Sequence, residues 1–500
     1  MLLGVAVAAL GGRAMGLARN TLQNNGRWRV TKTEAEISIL GARSFYSGRQ
    51  ALAGGTLNLG AWHGFQQVVY RDPLDLAALE VDFRLTPGAY LTVLFAGDLE
   101  GGFAGIRMSA HEGFAPAFLK ISPTGEFQRR EAVDVPFLEP GTLHHLRLEI
   151  DRPVRVTLDG KPIGRFEVDL DALQRVGLRG SRAHAFVDHV KLERRRGLAI
   201  RETFAQPPST RRWSLLAGLV LLALPFALVA GNRATPRRAL LLLATVELMA
   251  LVALVAALPV AARVETGYPK KSAELLKLEE QARREMVENA QERTRKAHPV
   301  PLPAATARLV FIGSSQTEGV GAKKVDDTWV RRIERRLNQT DHGGLRWECV
   351  NAGVSSARSY HLTRAVERTW LRLEPRALVI NLSSNDRRVD VFIERVGRMI
   401  TGSREAGVTP LLLLEPNSPE HYRGSIEERH AALRRLSERL SAPLVDMQSQ
   451  LDGRYDEGFL WWDHVHLTSF GQRLMADAVY AALVDHGIVP APVGGSGSVS

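Results

Sequence analysis

One cysteine, Cys349, stands in a chain of 500 residues. Its isolation excludes an intrachain disulfide and a Cys/His zinc centre, and leaves the redox compartment unread. It lies in the apolar-leaning run 345–350 and reads as a buried strand residue rather than a nucleophile. Acidic residues are the minority: 54 Asp and Glu against 65 Lys and Arg give a net charge of +11. The arginines are scattered along helical segments such as 331–336 or flank apolar runs, and no aromatic-and-basic module accompanies them. Nucleic acid is therefore not an expected partner. A hydrophobic share of 45% with 24% charged residues excludes wholesale disorder. No Lys or Arg precedes the apolar residues 1–10, so the usual basic start of a signal sequence is missing. Residues 1–27 are read as a signal or anchor segment, and 500 residues as several domains.

What is there begins with strands. Residues 28–200 carry short strand-like segments and little helical period. Segments 79–85, 145–150 and 154–158 alternate apolar with polar, as half-buried strands do, and 90–95 is a further strand. Asp159-Gly160 marks a hairpin, and 186–192 looks like a closing strand. Many short strands between Gly, Pro and Asp turns predict an all-β sandwich or jelly roll. In layout the region resembles the concanavalin-like lectin and laminin-G-type sandwiches, without a diagnostic motif. That resemblance implies glycan binding, for which Trp62, Tyr70 and Tyr90 are the stacking candidates; aromatics on strands are more often core.

Two long apolar runs follow. Residues 213–230 carry no charge, and residues 239–262 carry only Glu247. At about 1.5 Å per residue each is long enough to cross the roughly 30 Å hydrocarbon core. The short connection predicts a transmembrane helical hairpin with both large domains on one side. The apolar start and the lectin-like sandwich favour the extracytoplasmic side of an inner membrane, although basic residues flank the runs at both ends. Glu247 inside the second run requires a partner or water. Residues 269–303 then read as a charged helical stalk closed by a Pro-rich linker, and the Gly/Ser-rich 489–500 as a disordered tail.

From 304 to 488 strand and helix alternate. Strands are expected at 309–312, 346–350, 377–382, 411–414 and 443–446, with helices at 328–337, 359–373 and 468–486. Such alternation predicts a parallel sheet covered by helices on both faces, with its active site at the carboxyl ends of the strands. Four short pieces fall at those ends or before the last helix. They are residues 313–319, reading Gly-Ser-Ser-Gln-Thr-Glu-Gly; Asn351-Ala352-Gly353; Ser384-Asn385-Asp386; and Asp463-His464-Val465-His466.

This ordered set resembles the SGNH, or GDSL-type, esterase/lipase superfamily over roughly residues 305–488. The resemblance implies a three-layer, flavodoxin-like α/β domain with Ser315 as the nucleophile. It implies oxyanion donors in the Ser315 and Gly353 amides and the Asn385 side chain, with His466 and Asp463 completing a triad. Two departures stand out. Ser314 replaces the family's Asp, and Ser383 replaces the Gly of the third block. A further glycine of the second block is missing at Ser356. The chemistry has its own demands: a serine hydroxyl needs a base within hydrogen-bond reach, the imidazole needs an acceptor behind it, and the developing oxyanion needs donors fixed in advance. His464 is the competing base, but its spacing from Asp463 does not match the family pattern.

The expectation is a membrane-anchored serine esterase removing acyl groups, acetyl foremost, from a glycan. A lipase or phospholipase, an O-acyltransferase using the same triad, and a silent glycan-binding anchor are the alternatives. Trp461 and Trp462 either narrow the acyl pocket or pack the loop. No metal, nucleotide or flavin is implied.

Overall fold

The structure is a computed structural model. It describes residues 28–30, 52–53, 56–59, 65–70, 72–98, 101–111, 114–171, 173–181, 184–202, 273–386, 388–418, 424–462 and 465–493. Residues 27–204 and 281–500 belong to one compact unit, and residues 1–26 with 205–280 to another.

The N-terminal region is two antiparallel sheets. The first runs, in spatial order, β1 (Trp28–Val30), β4 (Phe65–Tyr70), β13 (Gly177–Ser181), β6 (Tyr90–Asp98), β7 (Gly102–Ser109), β8 (Ala117–Ile121) and β9 (Phe127–Ala132). The second runs β12 (Lys161–Phe166), β11 (Val154–Leu158), β10 (His144–Glu149), β5 (Leu76–Leu85), β14 (Ala185–Arg194), β3 (Thr56–Leu59) and β2 (Leu52–Ala53), with β15 (Ile200–Glu202) also on β14. Alternation decides which side chains turn inward: on β5 Leu79, Val81, Phe83 and Leu85 are buried while Glu80, Asp82 and Arg84 are partly exposed. The faces meet where Phe118 stacks on Phe166 at 4.7 Å. Asp159 and Gly160 both take positive φ, the geometry of a two-residue hairpin. The segment expected to close the domain is interior instead, because β14 pairs with β5 along its length.

Tyr70 and Tyr90 are only 6% exposed, so both belong to the core. Tyr90 stacks on Phe114 under the Arg107 guanidinium. Trp62 lies outside the described residues.

The C-terminal domain is a five-stranded parallel sheet in the order β17 (Arg346–Gly353), β16 (Thr306–Gly313), β18 (Ala377–Asn381), β19 (Thr409–Leu413), β20 (Leu444–Val445). Strand β16 is buried almost throughout, and its side chains alternate between two cores. Leu309 and Phe311 join Trp329 and Trp347 on one face, while Val310 and Ile312 join Leu362, Val396 and Met399 on the other. That is the signature of a sheet covered on both faces. Because the order turns back at β16, the crevice at its carboxyl end is the topological switch point.

A 25-residue helix, α1 (Ala273–Ala297), precedes the sheet. The sequence suggests a free stalk there, but Val287 and Ala290 are buried in the domain's core and Gln291 accepts from Thr369 at 2.7 Å. Val489, the first residue of the expected loose tail, is also buried, and the Val493 amide donates to the Asp341 carbonyl.

The membrane expectation is corrected. Among the described residues no helix is long and apolar enough to cross a membrane. The longest described helix, α1, alternates charged residues with the few apolar ones that pack on the domain. The runs 213–230 and 239–262, Glu247 and the segment 1–27 lie outside the described residues. The two transmembrane helices and the multi-pass inner-membrane location with extracytoplasmic domains are not carried further.

Candidate active site

The carboxyl end of the parallel sheet gathers the pieces. Strand β16 ends at Gly313, and the chain turns at once into the single helical turn α2 (Ser315–Glu318), so Ser315 is its first residue. Its amide has no acceptor within the helix, as at any first turn. Gly313 is required sterically: a Cβ there would lie 2.0 Å from Thr317 Oγ1 and 2.4 Å from the Asn381 carbonyl. Gly353 is in register with Gly313 across β17 and β16, and a Cβ on it would meet the Glu318 amide at 2.2 Å. The two glycines let the nucleophile turn lie directly on the sheet's end.

Ser315 is half-buried, and its Oγ lies 2.8 Å from Nε2 of His466. That is direct hydrogen-bond reach for proton transfer, with the Nδ1–H tautomer required for His466 to accept. The hairpin carrying His466 is held by a bridge between Trp461 and Leu467 and by the Trp462 amide donating to the His466 carbonyl at 2.8 Å. Gln316, beside the nucleophile and 2% exposed, donates to the Val465 carbonyl at 2.6 Å and to Pro416 at 2.7 Å. The Ser315 turn and the His466 loop are thus tied to each other by a side chain that no motif role marks. Asp463 and His464 lie outside the described residues.

Two of the expected oxyanion donors are engaged with protein acceptors. The Gly353 amide donates to Asn351 Oδ1 at 3.0 Å, and Asn385 Nδ2 donates to the Ala357 carbonyl at 3.0 Å. Asp386 is structural. Its carboxyl accepts from the Ser359 amide and hydroxyl, at the start of helix α4 (Ser359–Ala365), which follows α3 (Trp329–Gln339) in the chain.

The two departures from the family pattern share one partner. Ser314 Oγ donates to Glu415 Oε1 at 2.9 Å; Ser383 donates its amide (2.8 Å) and hydroxyl (3.0 Å) to Oε2, and the Ser384 amide follows at 2.6 Å. Glu415 is fully buried just beyond β19. Where the family has an Asp in the first block, this chain has a hydroxyl there and a carboxyl supplied from another strand. Ser383 Oγ also lies 3.1 Å from Nε2 of His430, whose ring burial pushes its pKa down to about 4. His430 is therefore neutral near pH 7 and donates through Nε2–H. No sequence motif marks Glu415 or His430; only the fold brings them within reach of residues 32 to 101 positions away.

Cys349 is buried, and burial pushes its thiol pKa well up, which removes it as a nucleophile.

Comparison with known proteins comes to the same domain. The GDSL-like Lipase/Acylhydrolase family matches residues 311–474. Among solved structures, one similar chain is described as a lipolytic G-D-S-L-family protein from Desulfitobacterium hafniense, at 20% identity over 35% of this chain and 99% of that one, TM-score 0.32. The acetyl xylan esterase AlAXEase matches at 20% identity over 35% and 100% of the two chains, TM-score 0.32. An acetylxylan esterase of Geobacillus stearothermophilus matches at 16% over 36% and 94%, TM-score 0.33. A search of the curated proteins returns no match. With the family matched across the turn, the sheet and the His466 hairpin, residues 311–474 are a GDSL/SGNH hydrolase domain and the chain is a serine ester hydrolase.

Proposed function

We propose that this enzyme hydrolyses short acyl esters, acetyl foremost, on carbohydrate hydroxyls, with Ser315, His466 and Asp463 as its triad. The observation that carries the reading is the 2.8 Å contact between Ser315 Oγ and His466 Nε2 at the switch point of the parallel sheet. In acylation, Oγ attacks the ester carbonyl carbon as its proton passes to Nε2. The carbonyl oxygen becomes an oxyanion, stabilised by the Ser315 amide and, once they turn from their present acceptors, by the Gly353 amide and the Asn385 side chain. Collapse breaks the C–O bond to the alcohol, which leaves with the proton from Nε2. Water then repeats the sequence on the acyl-enzyme and regenerates Ser315. Asp463, three residues before His466, supplies the acceptor for Nδ1–H. The short acyl group is favoured by Trp462, whose ring stands 5.8 Å from that of His466 and is only partly exposed.

The test is fluorophosphonate labelling of the full chain, read by intact mass, beside Ser315→Ala and His466→Ala. A single adduct on the wild type, absent from Ser315→Ala and strongly slowed in His466→Ala, is the expected result. Turnover of p-nitrophenyl acetate over p-nitrophenyl decanoate, and acetate release from an acetylated oligosaccharide, then check acyl length and substrate class. No adduct on folded protein would sink the triad, and preference for the long chain would sink the acetyl reading.

A further inference from the structure

The hairpin that carries His466 is gripped from two sides, and only one belongs to the hydrolase domain. Inside the domain, Gln316 holds the Val465 carbonyl. From outside, the sandwich does the rest. Arg179, in the middle of β13, is 4% exposed and donates Nη2 to the Trp461 carbonyl at 2.8 Å, across 282 positions of sequence. Its guanidinium lies 4.0 Å over the ring centre of Phe459. Backbone bonds flank it: the Phe459 amide donates to the Gly125 carbonyl at 2.7 Å, and the Phe470 amide to the Thr124 carbonyl at 3.1 Å. Glu126 and Gly458 form an isolated β-bridge. At the rim Arg473 pairs with Glu126 at 2.8 Å, and Asp456 with Arg130 at 2.8 Å and Arg107 at 3.4 Å.

This seam lies close to the reacting atoms. Trp461 is bridged to Leu467, and Trp462 donates to the carbonyl of His466 and lays its ring against the imidazole. A shift of the Trp461 carbonyl therefore moves the base relative to Ser315 Oγ. A buried arginine is an expensive way to glue two domains, because its charge loses water; burial pushes its pKa down to about 10. What it gives that a leucine would not is direction: a planar fork that fixes one carbonyl while stacking on one ring.

We propose that the sandwich is a positioning element of the hydrolase and that Arg179 is the positioning residue through which it sets His466 against Ser315. The idea rests on the Ser315–His466 reading above. It gives the sandwich a role that does not depend on glycan binding, and it puts Phe114, which packs under Arg107 beside Tyr90 and against Tyr455, in the seam between the domains.

The experiment uses the full chain. Arg179→Met and Arg179→Lys are assayed on p-nitrophenyl acetate over pH 5 to 9 and labelled with fluorophosphonate to completion. Arg179→Met should lose about ten- to hundredfold in kcat with KM within about threefold, as a misplacement of around 1 Å costs. It should still label at Ser315, slowly, and its pH–rate profile should change. Arg179→Lys should recover part of kcat, since a donor remains. Hydrogen exchange on the wild type needs no variant to fold: the amides of Phe459 and Phe470 should exchange as slowly as those of β16. Unchanged kcat and pH profile in folded Arg179→Met, or fast exchange at both amides, would overturn the proposal. Absence of any Ser315 adduct in the wild type would instead overturn the triad reading.

Discussion

Glu415 and Arg179 are both charged side chains taken out of water, one in each domain, and their surroundings differ as the two kinds of sheet differ. Glu415 follows a parallel strand. Parallel strands end on the same side, so their last amides and the hydroxyls of the following loops converge, and its carboxyl accepts four hydrogen bonds from the ends of β16 and β18. Arg179 is mid-strand in an antiparallel sheet, whose backbone groups are used in the ladder to β4 and β6. Its side chain stands off the sheet face and finds its partner carbonyl in the other domain. The parallel sheet assembles a site from its own strand ends. The sandwich meets that domain with a side chain off its face and with the turn that carries Thr124 and Gly125.

The comparison breaks most visibly at Ser315 and His466, the proposed catalytic pair. Ser315→Ala and His466→Ala should each lower kcat/KM on p-nitrophenyl acetate by about 10⁴-fold or more, while thermal melting stays near the wild type. A loss below tenfold would mean that the strand ends assemble something other than the reacting groups.

The next effect tests the exchange of carboxyls. Installing the family's residue, Ser314→Asp, puts a second carboxyl against fully buried Glu415. Like charges at that distance cannot both ionise cheaply, so the variant should lose about 3–5 kcal/mol in denaturant unfolding. Adding Glu415→Gln should recover a large part of it, a non-additivity expected for contacting residues. Simple additivity would show that Glu415 and Ser314 are not one unit.

His430 sharpens the same network through pH. Its folded pKa of about 4 lies below the ordinary histidine value of 6.5 given for the free ring. Its contribution is therefore fully present above pH 6.5 and lost as pH falls towards 4. The drop attributable to it is about 3 kcal/mol, read as the difference in unfolding free energy between pH 7.5 and pH 4. His430→Asn should flatten that dependence, whatever it costs at pH 7.5. An unchanged slope would place the acid sensitivity elsewhere.

The smallest effect belongs to the rim of the seam. Arg473 and Glu126 are 38% and 43% exposed, so Glu126→Gln should cost under about 1 kcal/mol and leave kcat within twofold. A larger loss would move the weight of the seam from Arg179 to its edge.

Much of the hydrolase domain and of the candidate site's framework was legible in the sequence because both are built from local pieces. The block 313–319 after a strand and the block ending in His466 before the last helix are each contained within a few residues, and a strand buried on both faces announces itself as an unbroken apolar run. The sandwich strands were legible in the same way from their alternation at 79–85 and 154–158. The glycan-stacking expectation failed for Tyr70 and Tyr90 because strand aromatics look alike whether they face solvent or core. The stalk at 269–298 was misread because a charged helix needs only Val287, Ala290 and a few neighbours to pack along one side.

By itself, then, the sequence determined the alternation of strand and helix that makes a parallel sheet and the short blocks that lie at its strand ends, since both follow from short-range spacing and hydrophobic period. Glu415 under Ser314, Gln316 on the base loop and Arg179 on the Trp461 carbonyl were decided only by tertiary structure. Each is a single polar side chain whose partner no motif marks. Its partner is a buried oxygen or hydroxyl 100 to 282 positions away, which must be satisfied once water is excluded and which nothing local identifies.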